Sequence, residues 1–169
     1  MDRKSTTKFL SQLLIDKKLT GIGKYWASEV TLDYGKKSPK RVDFMQFVPR
    51  NQFCVSAIEQ GEFICYEIKS CKEDFRSGNG LNFEGDRNYV VMTMETYKDL
   101  VDSEIKKLSR NVGVMVAVPV GSDKAAEFEN PTKLSEDTAC ELVVIKPAYR
   151  ADRRRSVTEL LFCMLRSGK

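Results

Sequence analysis

The sequence predicts an α/β (α+β) fold in which a central mixed β-sheet is flanked by helices. Three observations carry that reading. Helical periodicity opens the chain, recurs after Thr93 and returns near residue 156. Several short apolar runs, among them RVDFMQFV and FICYEIKSC, have strand length and strand composition. Their order is helix, a set of antiparallel strands, helix, then more strands, which suits a mixed sheet covered by helices better than a bundle or a barrel. At 169 residues the chain fits one domain spanning 1–169, large enough to bury a core.

Taken in order, residues 5–18 read as an amphipathic helix with Phe9, Leu10, Leu13 and Leu14 on one side, ended by Gly21 and Gly23. Strands are expected at Tyr25–Leu32, Arg41–Val48, Phe53–Ile58 and Phe63–Ser70. The last two are joined by Glu59-Gln60-Gly61-Glu62 as a hairpin. A polar, glycine-rich stretch, SGNGLNFEGDRN, precedes a strand NYVVMTM. Thr93 then caps a helix carrying Tyr97, Leu100, Val101, Ile105 and Leu108 at helical spacing. VGVMVAVPV at 112–120 is a buried strand, 121–138 reads as an irregular loop, and CELVVI at 140–145 is a further strand. Ser156 and Glu159 form a capping box for a last helix expected to bury Val157, Leu160, Leu161, Met164 and Leu165.

Composition removes several function classes. There is no histidine, so Ser-His-Asp and Cys-His catalysis and histidine-based metal sites are excluded. Neither GxxxxGK[ST] nor GxGxxG occurs, so neither phosphate-cradling loop is supported. Five cysteines are scattered without a CxxC pair and read as free, mostly buried thiols. No apolar run approaches the ~18 residues of a membrane span, and MDRKSTTKFLSQLL lacks a secretory h-region, so no membrane partner and a cytoplasmic location are expected. The net charge is +4, with basic groups gathered at Lys36, Lys37, Lys40 and Arg41 and at Lys146, Arg150, Arg153, Arg154 and Arg155. These segments suit a polyanion such as DNA, or simply a solvated surface.

The chemistry concentrates in FICYEIKSC. Strand alternation puts Cys65, Glu67 and Lys69 on one face and Ile64, Tyr66 and Ile68 on the other. A carboxylate and an ammonium in an apolar strand each cost several kcal/mol, of order, unless paired, hydrated or metal-bound. Upstream, RVDFMQFV carries Asp43 among apolar neighbours, giving the pattern D, spacer, E-x-K. Two carboxylates on adjacent strands suit a hard divalent cation, Mg²⁺ or Mn²⁺, and a neighbouring lysine suits a water nucleophile or developing phosphate charge. Acid and base at i,i+2 also occur on ordinary solvated strands.

In these residues the chain resembles the PD-(D/E)XK, or restriction-endonuclease-like, nuclease superfamily, whose core runs α-β-β-β-α-β with the acid on one central strand and E-x-K on the next. More narrowly, SEVTL, RVDFMQF, IEQGEFICYEIKSCKEDF, NGLNFEGDRNYVVM, VGVMVA and ELVVIKPAYR, about two thirds of the chain in order, are similar to the MmcB-like DNA-repair family and small phage proteins of Gram-positive bacteria. The first motif reads VD rather than PD, and Leu81 stands where such phage sequences often carry histidine.

The resemblance implies a metal-dependent nuclease acting on DNA in phage replication, recombination or repair, in a bacterial or phage-infected cell, in a family whose members often pair as homodimers. It implies Asp43 and Glu67 as metal ligands, helped by the main-chain carbonyl of Ile68, with Lys69 activating the attacking water. Glu29, on the preceding strand, is either a third carboxylate or an exposed strand residue. Asp74 either belongs to the site or caps the chain entering a short helix. Lys40, Arg41, Arg76, Asn82 and Arg87 are candidate nucleic-acid contacts, with loop scaffolding the alternative for those in and beside the glycine-rich stretch, as for Asn79. Tyr25 and Trp26 either stack bases or belong to the core. A catalytically silent DNA-binding module and an accessory protein that acts through protein contacts are the competing function classes.

Overall fold

A computed structural model describes residues 1–51, 54–135 and 137–167. Six strands form one mixed sheet in the order in which they occur: β1 (Tyr25–Leu32), β2 (Lys40–Val48), β3 (Glu62–Ile68), β4 (Arg87–Thr93), β5 (Val112–Pro119) and β6 (Cys140–Lys146). β1, β2 and β3 make an antiparallel meander, β4 and β5 add parallel to β3, and β6 closes antiparallel. The expected α+β class with a central mixed sheet is the observed one. Among the described residues no helix is long and apolar enough to cross a membrane.

Helices cover both faces. The first, α1 (Arg3–Leu14), starts earlier than the periodicity suggests because Asp2 accepts from the Ser5 N–H at 2.8 Å, and it continues as a π-helical turn through Leu19. Its buried Leu10, Leu13 and Leu14 pack on Phe44, Tyr66, Ile68, Val91 and Met115. On the opposite face, α6 (Val157–Arg166) sets Leu160 and Met164 against Val30, Val42, Met45, Phe63 and Cys65. Beside it, α3 (Lys72–Arg76) and α4 (Met94–Leu100) bring Phe75, Met94 and Leu100 onto Val90, Met92, Val112, Val114 and Val116.

Several expectations are corrected. No strand runs through 55–58: Val55–Glu59 is a helical turn, α2, and Phe53 lies outside the described residues. β2 already pairs β3 directly, Val48 opposite Glu62, so the segment between them has no free sheet neighbour and the expected hairpin cannot form. The loop after β5 contains α5 (Lys124–Glu129), capped by Asp123 accepting from Ala126 N–H. α4 stops at Leu100, and Ile105 is buried from a separate 3₁₀ turn, Ile105–Lys107. In α6, Ser156 caps Glu159 N–H, but the Glu159 carboxylate accepts from Arg155 rather than turning back to complete the box. Leu165 is 84% exposed, leaving an apolar groove of about 500 Å³ among Tyr25, Trp26, Ile58, Leu161 and Leu165. Trp26 also meets Phe44, with ring centroids 6.1 Å apart. All five cysteines are free, with Cys65 and Cys140 buried and Cys54 exposed.

Strand alternation fails in the β1–β2 pair. Ala27 and Val30 share the α6 face although three residues apart, and so do Val42 and Met45. The break sits where Glu29 stands opposite Asp43: the ladder pairs Ser28 with Phe44 and Val30 with Val42, and skips the position between. Glu29 carries the strain in the left-handed region, φ 52°. Both strands therefore flip together, and the flip lies beside the E-x-K strand.

Candidate active site

Beyond the Phe44–Tyr66 pair, β2 and β3 stop pairing, and Asp43 spans the gap by accepting from the Ile68 N–H at 2.8 Å. This splay opens a cleft of about 1040 Å³ lined by both strands, α1 and the loop 78–82. Asp43, Glu67, Ile68 and Lys69 all line it, as do Glu29, Lys40, Arg41 and Asn82.

Glu67 is 2% exposed, and among the described residues neither of its carboxylate oxygens has a hydrogen-bond partner. Burial, with the like charge of Asp43 adding to it and Lys69 opposing it, pushes its carboxyl up to about 9. Such a group is costly to leave unmet, and is what a cation or a shared proton would satisfy.

Lys69 is 3% exposed and makes no ion pair within 4.0 Å among the described residues; its Nζ donates to the main-chain oxygen of Asn79. Gly80 sits directly over Glu67: a Cβ there would lie 2.5 Å from Glu67 Oε2 and 3.7 Å from Lys69 Nζ. Its φ of 77° also belongs to the region glycine tolerates best. The sequence marked this stretch as glycine-rich, but gave no sign that its backbone would cover the acid and the lysine.

The remaining expected site residues divide. Glu29 lies at the cleft but turns outward, 60% exposed, and pairs with Arg41 at 2.8 Å. Among the described residues no group of three or more Asp, Glu, Cys or His converges as a metal-holding set, so the third-carboxylate reading of Glu29 is not realised. Asp74 accepts from Ser70 N–H and Oγ, each at 3.1 Å, and from Arg3 at 2.7 Å, tying the turn after β3 to α1. Asn82 donates to the Arg41 carbonyl at 2.8 Å, and Lys40 pairs with Glu84.

Arg76 and Arg87 stand away from the cleft. Arg76 binds Glu104, while Arg87 binds Glu62 and the Ala148 carbonyl. Much of the second basic segment is structural. Arg153 bonds the buried Asp86 at 2.9 Å and Arg155 bridges Asp33, Glu84 and Glu159. Arg155 and then Lys36 hold Asp33 down to about 2, and Lys40 with Arg155 lowers Glu84 against the burial that raises it. Charge runs in sequence do not show their partners, and here the partners are acids of distant loops.

No known protein-family pattern matches the chain, and no curated protein matches it. Among solved structures it is similar to the SPO1766 protein of unknown function from Silicibacter pomeroyi, at 16% identity and a TM-score of 0.56, covering 95% of this chain and 84% of that one. That likeness concerns the fold.

Proposed function

We propose that this chain is a metal-dependent nuclease domain acting on DNA, with Asp43, Glu67 and Lys69 as its centre. The observation that carries the reading is Glu67: an acid buried in a mostly apolar strand, without a hydrogen-bond partner on either oxygen among the described residues, beside a second carboxylate and within a large polar cleft. The element order supports it: apart from the short α2 between β2 and β3, the elements α1, β1, β2, β3, α3 and β4 run as α-β-β-β-α-β, with the acid and the E-x-K on or beside neighbouring central strands.

The residues present fit a hard divalent ion of the Mg²⁺ or Mn²⁺ kind, which needs few protein ligands and keeps its waters; Asp43 and Glu67 would hold it. Bound there, such an ion polarises a phosphodiester and acidifies water. The chain's own contribution is positional. Asp43 is fixed by the Ile68 N–H, β3 holds the buried Glu67, and Lys69, just past the strand's end, is tied to β4 by its N–H on the Val91 carbonyl at 2.9 Å. Lys69 brings a positive charge to the same hollow, suited to orienting water or meeting a phosphate oxygen. Lys40, Arg41, Asn82 and Arg3 at the rim suit the flanking phosphates, in exchange for their present partners Glu84, Glu29, the Arg41 carbonyl and Asp74.

The hold of the Asn79 carbonyl on Lys69, with Gly80 laid against Glu67, favours a second reading, a DNA-binding module that keeps the cleft without cutting. Labelled single-stranded, duplex and branched DNA with Mg²⁺ or Mn²⁺ separates them. Metal-dependent cutting lost in both Glu67→Gln and Lys69→Met establishes the nuclease. Binding without cutting by the wild-type chain establishes the module.

A further inference from the structure

We propose that the segment Gly78–Gly80 is a strap closed over the acid and the lysine, and that it must lift before either meets a ligand. The inference rests on the cleft being a ligand site, and goes beyond it in assigning the resting state.

Three contacts define the closure. The Asn79 carbonyl holds the Lys69 ammonium, the Gly80 backbone lies against Glu67 too closely for any side chain, and Asn82 pins the strap's far end to the Arg41 carbonyl. Lys69 and Glu67 are thereby buried under a segment whose Gly78 and Asn79 are themselves exposed. Among the described residues the strap's own bonds are local: Gly78 N–H to the Phe75 carbonyl at 3.2 Å, Leu81 N–H to the Gly78 carbonyl at 3.3 Å, Asn82 N–H to the Gly80 carbonyl at 2.7 Å, and Asn79 N–H to Ser77 Oγ at 3.3 Å. Beyond it, Leu81 and Phe83 pack against the β4–β5 core and give it a fixed base. Gly78 and Gly80, at φ 70° and 77°, are positions where backbone can turn without steric penalty. A short, weakly bonded segment of this kind opens at a free-energy cost far below that of global unfolding. Ligand entry then exchanges the Asn79 carbonyl on Lys69 for a ligand oxygen, and relieves the unpartnered Glu67.

Amine labelling of the full chain, read by peptide mass spectrometry, tests this without metal or DNA. In the wild-type chain Lys69 should react about tenfold or more slower than the exposed Lys37 and Lys124, as a lysine reached only through local opening does. Asn82→Ala, which removes the pin, and Gly80→Ala, whose Cβ cannot fit over Glu67, should each raise the Lys69 rate about tenfold. Lys146, bonded to the Ser109 and Val112 carbonyls on the far side of the sheet, should stay unchanged. A wild-type Lys69 as reactive as Lys37, or variants that leave its rate unaltered, overturns the strap. An equal rise at Lys146 also overturns it, because the covering would then be inseparable from the whole fold. Because no cleavage is read, the strap and the nuclease reading stand or fall separately.

Discussion

Replacing Glu67 by glutamine is expected to stabilise the metal-free protein at neutral pH, although it removes the central residue of the site. The folded state holds the Glu67 proton up to about 9, whereas the unfolded chain releases it near 4.5. A carboxyl raised in this direction contributes stability that is complete below its ordinary value and is lost as pH rises toward the folded value. In that window the folded state binds one more proton than the unfolded state, so each pH unit costs about 1.4 kcal/mol. From about pH 5 to about pH 7.5 the wild-type chain should lose about 3 kcal/mol relative to a variant that does not titrate. For a chain of this size that is roughly 6–12 °C in Tm. The assay is thermal unfolding of both chains in chelator, at several pH values across that range. Glu67→Gln should gain steadily on the wild type as pH rises. Parallel Tm profiles would refute the reasoning, since they would mean that Glu67 is hydrated or paired in the folded state.

Four other outcomes follow from the same structure. Mn²⁺ at about a hundred times its dissociation constant should stabilise the wild-type chain by about 2.7 kcal/mol with proton release, and should do neither in Asp43→Asn, as read by thermal shift and calorimetry. Arg155→Ala should cost about 2–3 kcal/mol in denaturant unfolding, because it leaves Asp33 and the buried Glu84 short of a partner. Leu160→Ala should cost about 2–5 kcal/mol while Leu165→Ala changes stability by less than about 0.5, which checks the face that α6 buries. Lys40→Ala with Arg41→Ala should weaken DNA binding across sequences and lower the salt slope by about 2, whereas Arg76→Ala should leave the slope unchanged.

How far the sequence foretold this can be judged from particular residues. β1 was legible to the residue, Tyr25–Leu32, because a run of strand length is bounded by glycine and by polar turn residues. The segment at 55–58 was not, because its four residues suit strand or helix equally, and the direct β2–β3 register that excludes a strand there is a long-range fact. The acid pair and the lysine were legible as residues out of place in apolar strands. Their company was not. Arg41 claims Glu29, Glu62 claims Arg87, and Asn79 claims Lys69, and each pairing joins residues that only the closed sheet brings together. Leu165 was misplaced because a helix of ten residues presents two plausible apolar sides, and only β1 decides which is covered.

The agreement between strand order in the sheet and order in the chain bears on how the fold is reached. Each strand finds its partner in the one made just before it, so the sheet can be laid down progressively, with no strand inserted between two already paired. The exception is α6, which must cross back over the finished sheet to cover Val30, Leu32 and Val42 beside β1. Until it docks, the first hairpin keeps an apolar face in water, so assembly of β1 and β2 is completed by a helix more than a hundred residues away. A chain stalled before α6 would accordingly carry an intact strand order and an adhesive surface, and Leu160, more than any residue of the hairpin itself, would govern whether it aggregates.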